Sequence, residues 1–202
     1  MSETTFPFNM VCFSTNNDIF SPLSIINKFI QNTGYNNIKM KKNNILTFNY
    51  KLENEKYNNQ IIEIFVHEIK NLEGGNYDIC FLADSYLIII DLESENTYKM
   101  LDIILEFMKN YCDTEKTFFI LGVYKDIEKT KKELDEENII EYLDGKKIIY
   151  EYIESNFDSI KDLVKTVDFI LLEGIKKIEN KMNEMGDKKG NDTQCESKCV
   201  FF

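Results

Sequence analysis

The sequence predicts an α/β domain with a mostly parallel sheet, one antiparallel edge hairpin and flanking helices. Three observations carry this. Strand-like and helix-like segments alternate along the chain, the order that builds parallel sheets. The runs "YLIIIDL" (86–92) and "TFFILGV" (117–123) are apolar at nearly every position, as in strands covered on both faces. Two β-rich runs, 45–53 and 60–69, flank the polar "NEKYNN" and predict a hairpin.

Each element has its own signal. "FNMVCF" (8–13) is the first strand. "SPLSIINKFIQN" (21–32) is a helix: Ser21 can cap it, Pro22 suits its first position, and Leu23, Ile26 and Ile30 share a face. "TYKMLDIILEFMKNY" (97–111) sets Leu101, Ile104, Leu105 and Met108 on one helical stripe. "EKTKKELDEENIIEYL" (128–143) predicts a polar helix with an apolar end, and "KKIIYEYI" (146–153) a short strand. A long amphipathic helix over 158–182 carries Ile160, Leu163, Val164, Val167, Leu171, Ile175 and Ile178. The chain then turns polar. This divides it into a domain over 1–182 and a flexible tail over 183–202.

Composition narrows the function. With 202 residues and 43% hydrophobic content, one globular domain is expected. All 24 basic residues are Lys, so no guanidinium can clamp a phosphate bidentately. A net charge of −11 argues against nucleic acid as a partner. "MSETTFPFNMVCF" lacks a basic region before its apolar run, so no signal peptide is expected. No apolar run reaches the roughly 18–20 residues that span a bilayer. Cys12, Cys80 and Cys112 lie in or beside apolar segments and are expected to be buried thiols. His67 is the only histidine and no C-x-x-C occurs, so neither a zinc site nor His-based catalysis is expected.

Four stretches share a resemblance. "YDICFLADSYLIIIDLESENTYKMLDIILEFMKN" is similar to the central part of Rab-type small GTPases, with Asp91 ending a strand and Thr97-Tyr98 opening a helix. "FFILGVYKDIE" resembles the guanine-recognition strand of that family. "IIYEYIESNFDSIKDLV" resembles its last strand, base loop and final helix. "LTFNYKLENEKYNNQIIEIF" resembles the hairpin joining its two switch regions. The likeness spans about residues 8–180. It implies a P-loop-NTPase-like small GTPase fold, with GTP and magnesium as the family's ligands.

The family's nucleotide motifs are degenerate in this chain. A P-loop needs G-x-x-x-x-G-K-S/T so that backbone amides and a lysine meet phosphates while a hydroxyl holds magnesium. The corresponding "FSTNNDIFSPLS" has no Gly and no Lys, contains Asp18, and places Pro22 about where the Lys would be. Ser21 and Ser24 keep hydroxyls, and capping explains Ser21 equally well. The magnesium-binding threonine of switch I falls near Asn43. The D-x-x-G of switch II falls on "VHEI", with Val66 and Ile69 at its key positions and Asn71 or Leu72 where a water-orienting residue would stand. N-K-x-D falls on Val123 to Asp126, of which only Asp126 survives, as a guanine acceptor or as an ordinary turn residue. The S-A-K loop falls on Ile153, Glu154 and Ser155.

The chain ends "DTQCESKCVFF". Cys199 stands four from the end, as in a C-a-a-X box whose terminal Phe leans to geranylgeranyl. One lipid chain binds membranes reversibly, so a second signal is sought, and Cys195 is the candidate for acylation. These features imply a prenylated pseudo-GTPase, not an enzyme and without a cofactor. It would act as an adaptor in vesicle or membrane trafficking, lipid-anchored on the cytoplasmic face of an intracellular or plasma membrane. Its partners would be effector or trafficking proteins and a prenyltransferase. The alternative is a divergent GTP-binding switch that uses GTP and magnesium. An unrelated α/β enzyme would need a convergent set of titratable groups, which the sequence does not offer.

Overall fold

Seven strands form one sheet in the order β2-β3-β4-β1-β5-β6-β7 among the described residues. The structure, a computed structural model, describes residues 6–33, 39–41, 45–51, 61–73, 77–113, 115–116, 118–125, 134–146 and 148–189. The elements run β1 (Phe6–Ser14), α1 (Pro22–Thr33), β2 (Lys39–Lys41), β3 (Ile45–Lys51), β4 (Ile61–Glu68), α2 (Asp78–Leu82) and β5 (Ser85–Asp91). They continue with α3 (Thr97–Tyr111), β6 (Phe118–Tyr124), α4 (Glu136–Asp144), β7 (Tyr150–Asn156) and α5 (Ile160–Lys189). Strand β1 pairs in parallel with β4 and β5, and β5-β6-β7 continue in parallel. The pairs β2-β3 and β3-β4 are antiparallel.

Alternation along β1 divides the core into two layers, because successive side chains in a strand leave on opposite faces. Phe8, Met10 and Cys12 join α1 and α5. Val11 and Phe13 join α2, α3 and α4. All seven residues of β5 are buried, as its unbroken aliphatic run requires. Helix α5 lies so close to β1 that a Cβ on Gly174 would come within 2.9 Å of Phe8 Cζ. The Tyr50 hydroxyl on β3 donates to Asp168 on α5 at 2.5 Å and pins the antiparallel strands to that helix.

The α/β class and the mostly parallel sheet match the sequence, with differences in detail, the short helix α2 among them. The antiparallel portion is a three-strand meander, not a single hairpin, because β2 pairs outside β3. Three residues, "KMK", are too short and polar to give a strand signal. Helix α4 begins at Glu136, not at 128: the Asp135 side chain accepts from the Asn138 amide at 3.0 Å and caps it there. Residues 126–133 lie outside the described residues. Strand β7 is shifted to Tyr150–Asn156, and α5 continues to Lys189. No helix among the described residues is long and apolar enough to cross a membrane.

Several phenols are held away from water. Burial pushes up Tyr86, Tyr98, Tyr142, Tyr150 and Tyr152, Tyr150 to about 12, and the Asp144 carboxylate beside Tyr150 and Glu154 beside Tyr152 add to the effect. A folded-state pKa above the unfolded value of about 10 gives stability that is complete below about pH 10 and lost as pH rises toward the folded values. Urea midpoints are therefore expected to fall above about pH 10, with phenolate absorbance of these groups rising together with unfolding. Ionisation of these five phenols while the fold stays intact would contradict this.

Candidate functional site

The carboxyl ends of parallel strands, where neighbouring crossovers leave in opposite directions, are the usual ligand seat of an open α/β sheet. Here that position is the turn from β1 to α1, flanked by the ends of β4 and β5. Four of its backbone amides are satisfied from within. Thr15 N donates to the Ile89 carbonyl at 2.9 Å and Asn16 N to Ser14 Oγ at 3.1 Å. Ile19 N donates to Asn16 Oδ1 at 3.3 Å and Phe20 N to the Asn16 carbonyl at 2.8 Å.

Asn16 organises the turn. Its Nδ2 also donates to Asp91 Oδ2 at 2.8 Å. Asp91, at the end of β5, is 3% exposed and saturated with partners. Its other oxygen accepts from the Glu93 amide at 2.9 Å, its amide donates to Thr15 Oγ1 at 3.0 Å, and its carbonyl accepts from Thr97 Oγ1 at 2.5 Å. The aspartate at this strand end thus serves as a fastener between β1, β5 and α3.

The other side of the turn is closed by Phe20 and Glu68. Phe20 is fully buried and meets Phe157 edge to face, centroids 5.2 Å apart. The Lys125 ammonium stands 5.8 Å from the centre of the Phe20 ring. Ser21, directly before α1, donates through Oγ to Glu68 Oε1 at 2.5 Å. The Glu68 side chain is fully buried, with Lys70 Nζ 3.2 Å from its second oxygen. Burial, with the Glu68 charge adding to it, pushes the Cys12 thiol well above its ordinary range. A buried carboxylate therefore stands at the N-terminus of α1, where the unpaired amides of a helix favour negative charge.

The residues singled out in the sequence are dispersed or occupied. Ser21 is in this turn, but its hydroxyl proton is committed to Glu68. Pro22 opens α1 and is buried, while Asp18 and Ser24 are exposed. Val66 is fully buried on β4, His67 and Ile69 are half-buried, and Asn71 Oδ1 accepts from the Glu73 amide. Val123 is buried in β6 and Tyr124 ends it. Ile153, Glu154 and Ser155, expected in a loop, lie inside β7 because that strand runs to Asn156. Asn43, Asp126, Cys195 and Cys199 lie outside the described residues. Cys12, Cys80 and Cys112 are free and buried, as expected. No cluster of metal-ligating side chains occurs among the described residues.

Asn16 and Glu68 were missed in the sequence, and Glu68 had a signal. On β4 every second residue is buried, so "IIEIFVHE" places Glu68 in the same inward series as Ile62, Ile64 and Val66. An acid at an inward position of a strand needs a partner, and Ser21 supplies it. Asn16 had a weaker one, an Asn followed by a turn into a helix. No family model matches the chain, and no curated protein matches it.

Proposed function

We propose that this chain is a small-GTPase-like domain of the Rab type whose phosphate seat is filled by its own side chains, and that it works as a lipid-anchored adaptor without a nucleotide cycle. The observation that carries the reading is the Ser21–Glu68 contact at the head of α1. In the family motif the lysine directly precedes the magnesium-binding Ser or Thr. Ser21 directly precedes α1, which would put the buried Phe20, not Pro22, in the lysine's place. The strand order, with β1 central and the antiparallel strands at one edge, agrees with that topology.

Magnitudes favour an unoccupied seat. A phosphate within about 4 Å of the Glu68 carboxylate would meet roughly 4 kcal/mol of repulsion per unit charge at an effective dielectric of about 20, less what the half-exposed Lys70 ammonium offsets. The helix terminus would return at most about 2 kcal/mol. The turn amides at 15, 16, 19 and 20 are already bonded within the chain, so an incoming anion would have to displace those bonds. What remains for function is surface. The β2-β3-β4 meander and the tail with Cys199 and Cys195 are the parts this reading assigns to partner and membrane binding.

One experiment with two arms tests it. Full-length protein isolated from a eukaryotic host with magnesium throughout is expected to release no guanine nucleotide on acid extraction. Stoichiometric GDP or GTP would overturn the adaptor reading in favour of a divergent switch. In the same host, Cys199→Ser is expected to shift the protein from the membrane pellet to the supernatant, and an unchanged distribution would remove the anchor from the proposal.

A further inference from the structure

On the face of the sheet away from α1 and α5, two thiols from separate elements meet. Cys80 lies in α2 and is fully buried, and Cys112 ends α3 at 6% exposure. Both pack in the same buried cluster, and each is the largest influence on the other's titration. A single tyrosine holds both backbones in place. The Tyr86 hydroxyl donates to the Cys80 carbonyl at 2.6 Å and accepts from the amide of Asp113, the residue after Cys112, at 2.9 Å. The Lys116 ammonium adds a second brace: it donates to the Ala83 carbonyl just past α2 at 2.5 Å and lies 3.8 Å from Asp113.

The rest of α2 is loosely held. It has five residues, and Phe81 and Leu82 next to Cys80 are 53% and 70% exposed. A short element with few buried contacts opens at low cost compared with global unfolding. We propose that Cys80 and Cys112 form a peroxide-oxidisable dithiol whose disulfide fastens α2 to the C-terminal end of α3. This inference does not depend on the adaptor reading.

The chemistry balances with a hydroperoxide as the two-electron oxidant. The Cys80 thiolate attacks one peroxide oxygen, the O–O bond breaks, and protonation of the departing oxygen releases water in the case of hydrogen peroxide, leaving a sulfenic acid on Cys80. Cys112 then attacks the Cys80 sulfur, the S–O bond breaks, and the Cys112 proton leaves with the hydroxyl as a second water. Overall two thiols and one hydrogen peroxide give one disulfide and two waters. The roles follow from the environment. The neighbouring Cys112 eases Cys80 below the ordinary thiol range, while the neighbouring Cys80 and burial hold Cys112 above it. Forming an S–S bond of about 2.05 Å calls for α2 to approach the end of α3, whose backbone already shares the Tyr86 hydroxyl with the Cys80 carbonyl. Cys12, buried in the opposite layer beside Glu68, serves as an internal control.

The test uses the full chain with Cys195→Ser and Cys199→Ser, which leaves three thiols. After hydrogen peroxide treatment, a non-reducing peptide map is expected to show one disulfide joining the peptides that carry Cys80 and Cys112. The intact mass falls by two hydrogens, two of the three thiols are lost, and dithiothreitol restores both. Adding Cys112→Ala is expected to stop the reaction at a sulfenic acid on Cys80, captured by a dimedone probe. Three thiols still free after peroxide, or a disulfide that includes Cys12, would overturn the proposal. The peptide map needs no core substitution, so it decides the question even if the Cys112→Ala protein does not fold.

Discussion

Replacing Phe20 by alanine is expected to destabilise the protein by about 3–5 kcal/mol, read as a lower urea midpoint with an unchanged slope. The ring is fully buried against Phe157, and Lys28 Nζ stands over the Phe157 ring, 3.4 Å from its centroid. Truncation leaves a cavity that neither neighbour can fill, since Phe157 is tied by its amide to the Tyr124 carbonyl at 2.7 Å. On a typical total of about 5–15 kcal/mol this is a large fraction. The variant is not expected to gain nucleotide affinity, because the turn amides and the Glu68 carboxylate stay as they were. A loss below about 1 kcal/mol would mean that the turn collapses onto the vacated space and that Phe20 is not what holds it.

Gly122→Ala should cost about 1–3 kcal/mol, for a reason visible in three atoms. A Cβ at Gly122 in β6 would lie 2.6 Å from the Tyr152 hydroxyl, 3.0 Å from Leu92 Cδ1 and 3.2 Å from Tyr152 Cζ. The phenol cannot simply swing aside, because it donates to Glu154 Oε1 at 2.8 Å and its ring packs on the core. Tyr152→Phe removes the nearest atom. In that background Gly122→Ala is expected to cost clearly less, though not nothing, since Leu92 and the ring remain. Chemical denaturation of the two single variants and the double variant measures the coupling. Equal costs in both backgrounds would show that the hydroxyl is not the obstacle.

Gly122 also illustrates what was legible in the sequence. The apolar runs identified β5 and β6 because strands covered on both faces admit almost nothing else, and the stripe at 97–111 predicted α3 residue for residue. The reason for the glycine was not legible, because Tyr152 belongs to another strand and only the register of β6 against β7 brings it near. The same holds at the candidate site. Missing glycines and lysine in 13–24 were plain from the letters. What replaced them was not, since Ser21 and Glu68 are 47 residues apart and Asn16 and Asp91 are 75 apart. Short elements escaped for a different reason: three residues of β2 and five of α2 are too few to carry a period.

Helix α5 has a mechanical consequence. Among its described side chains the last buried one is Ile175, and the helix runs on to Lys189, fourteen residues and about 21 Å farther at 1.5 Å per residue. A helix of that length is a strut. It fixes how far from the sheet its end stands, whereas a coil of equal length would let that distance vary. It also fixes bearing: each added residue turns the exit point by about 100° around the axis, so lengthening by one or two residues redirects whatever follows, while seven restores the bearing to within about 20°. The stand-off of this domain is therefore set in whole turns.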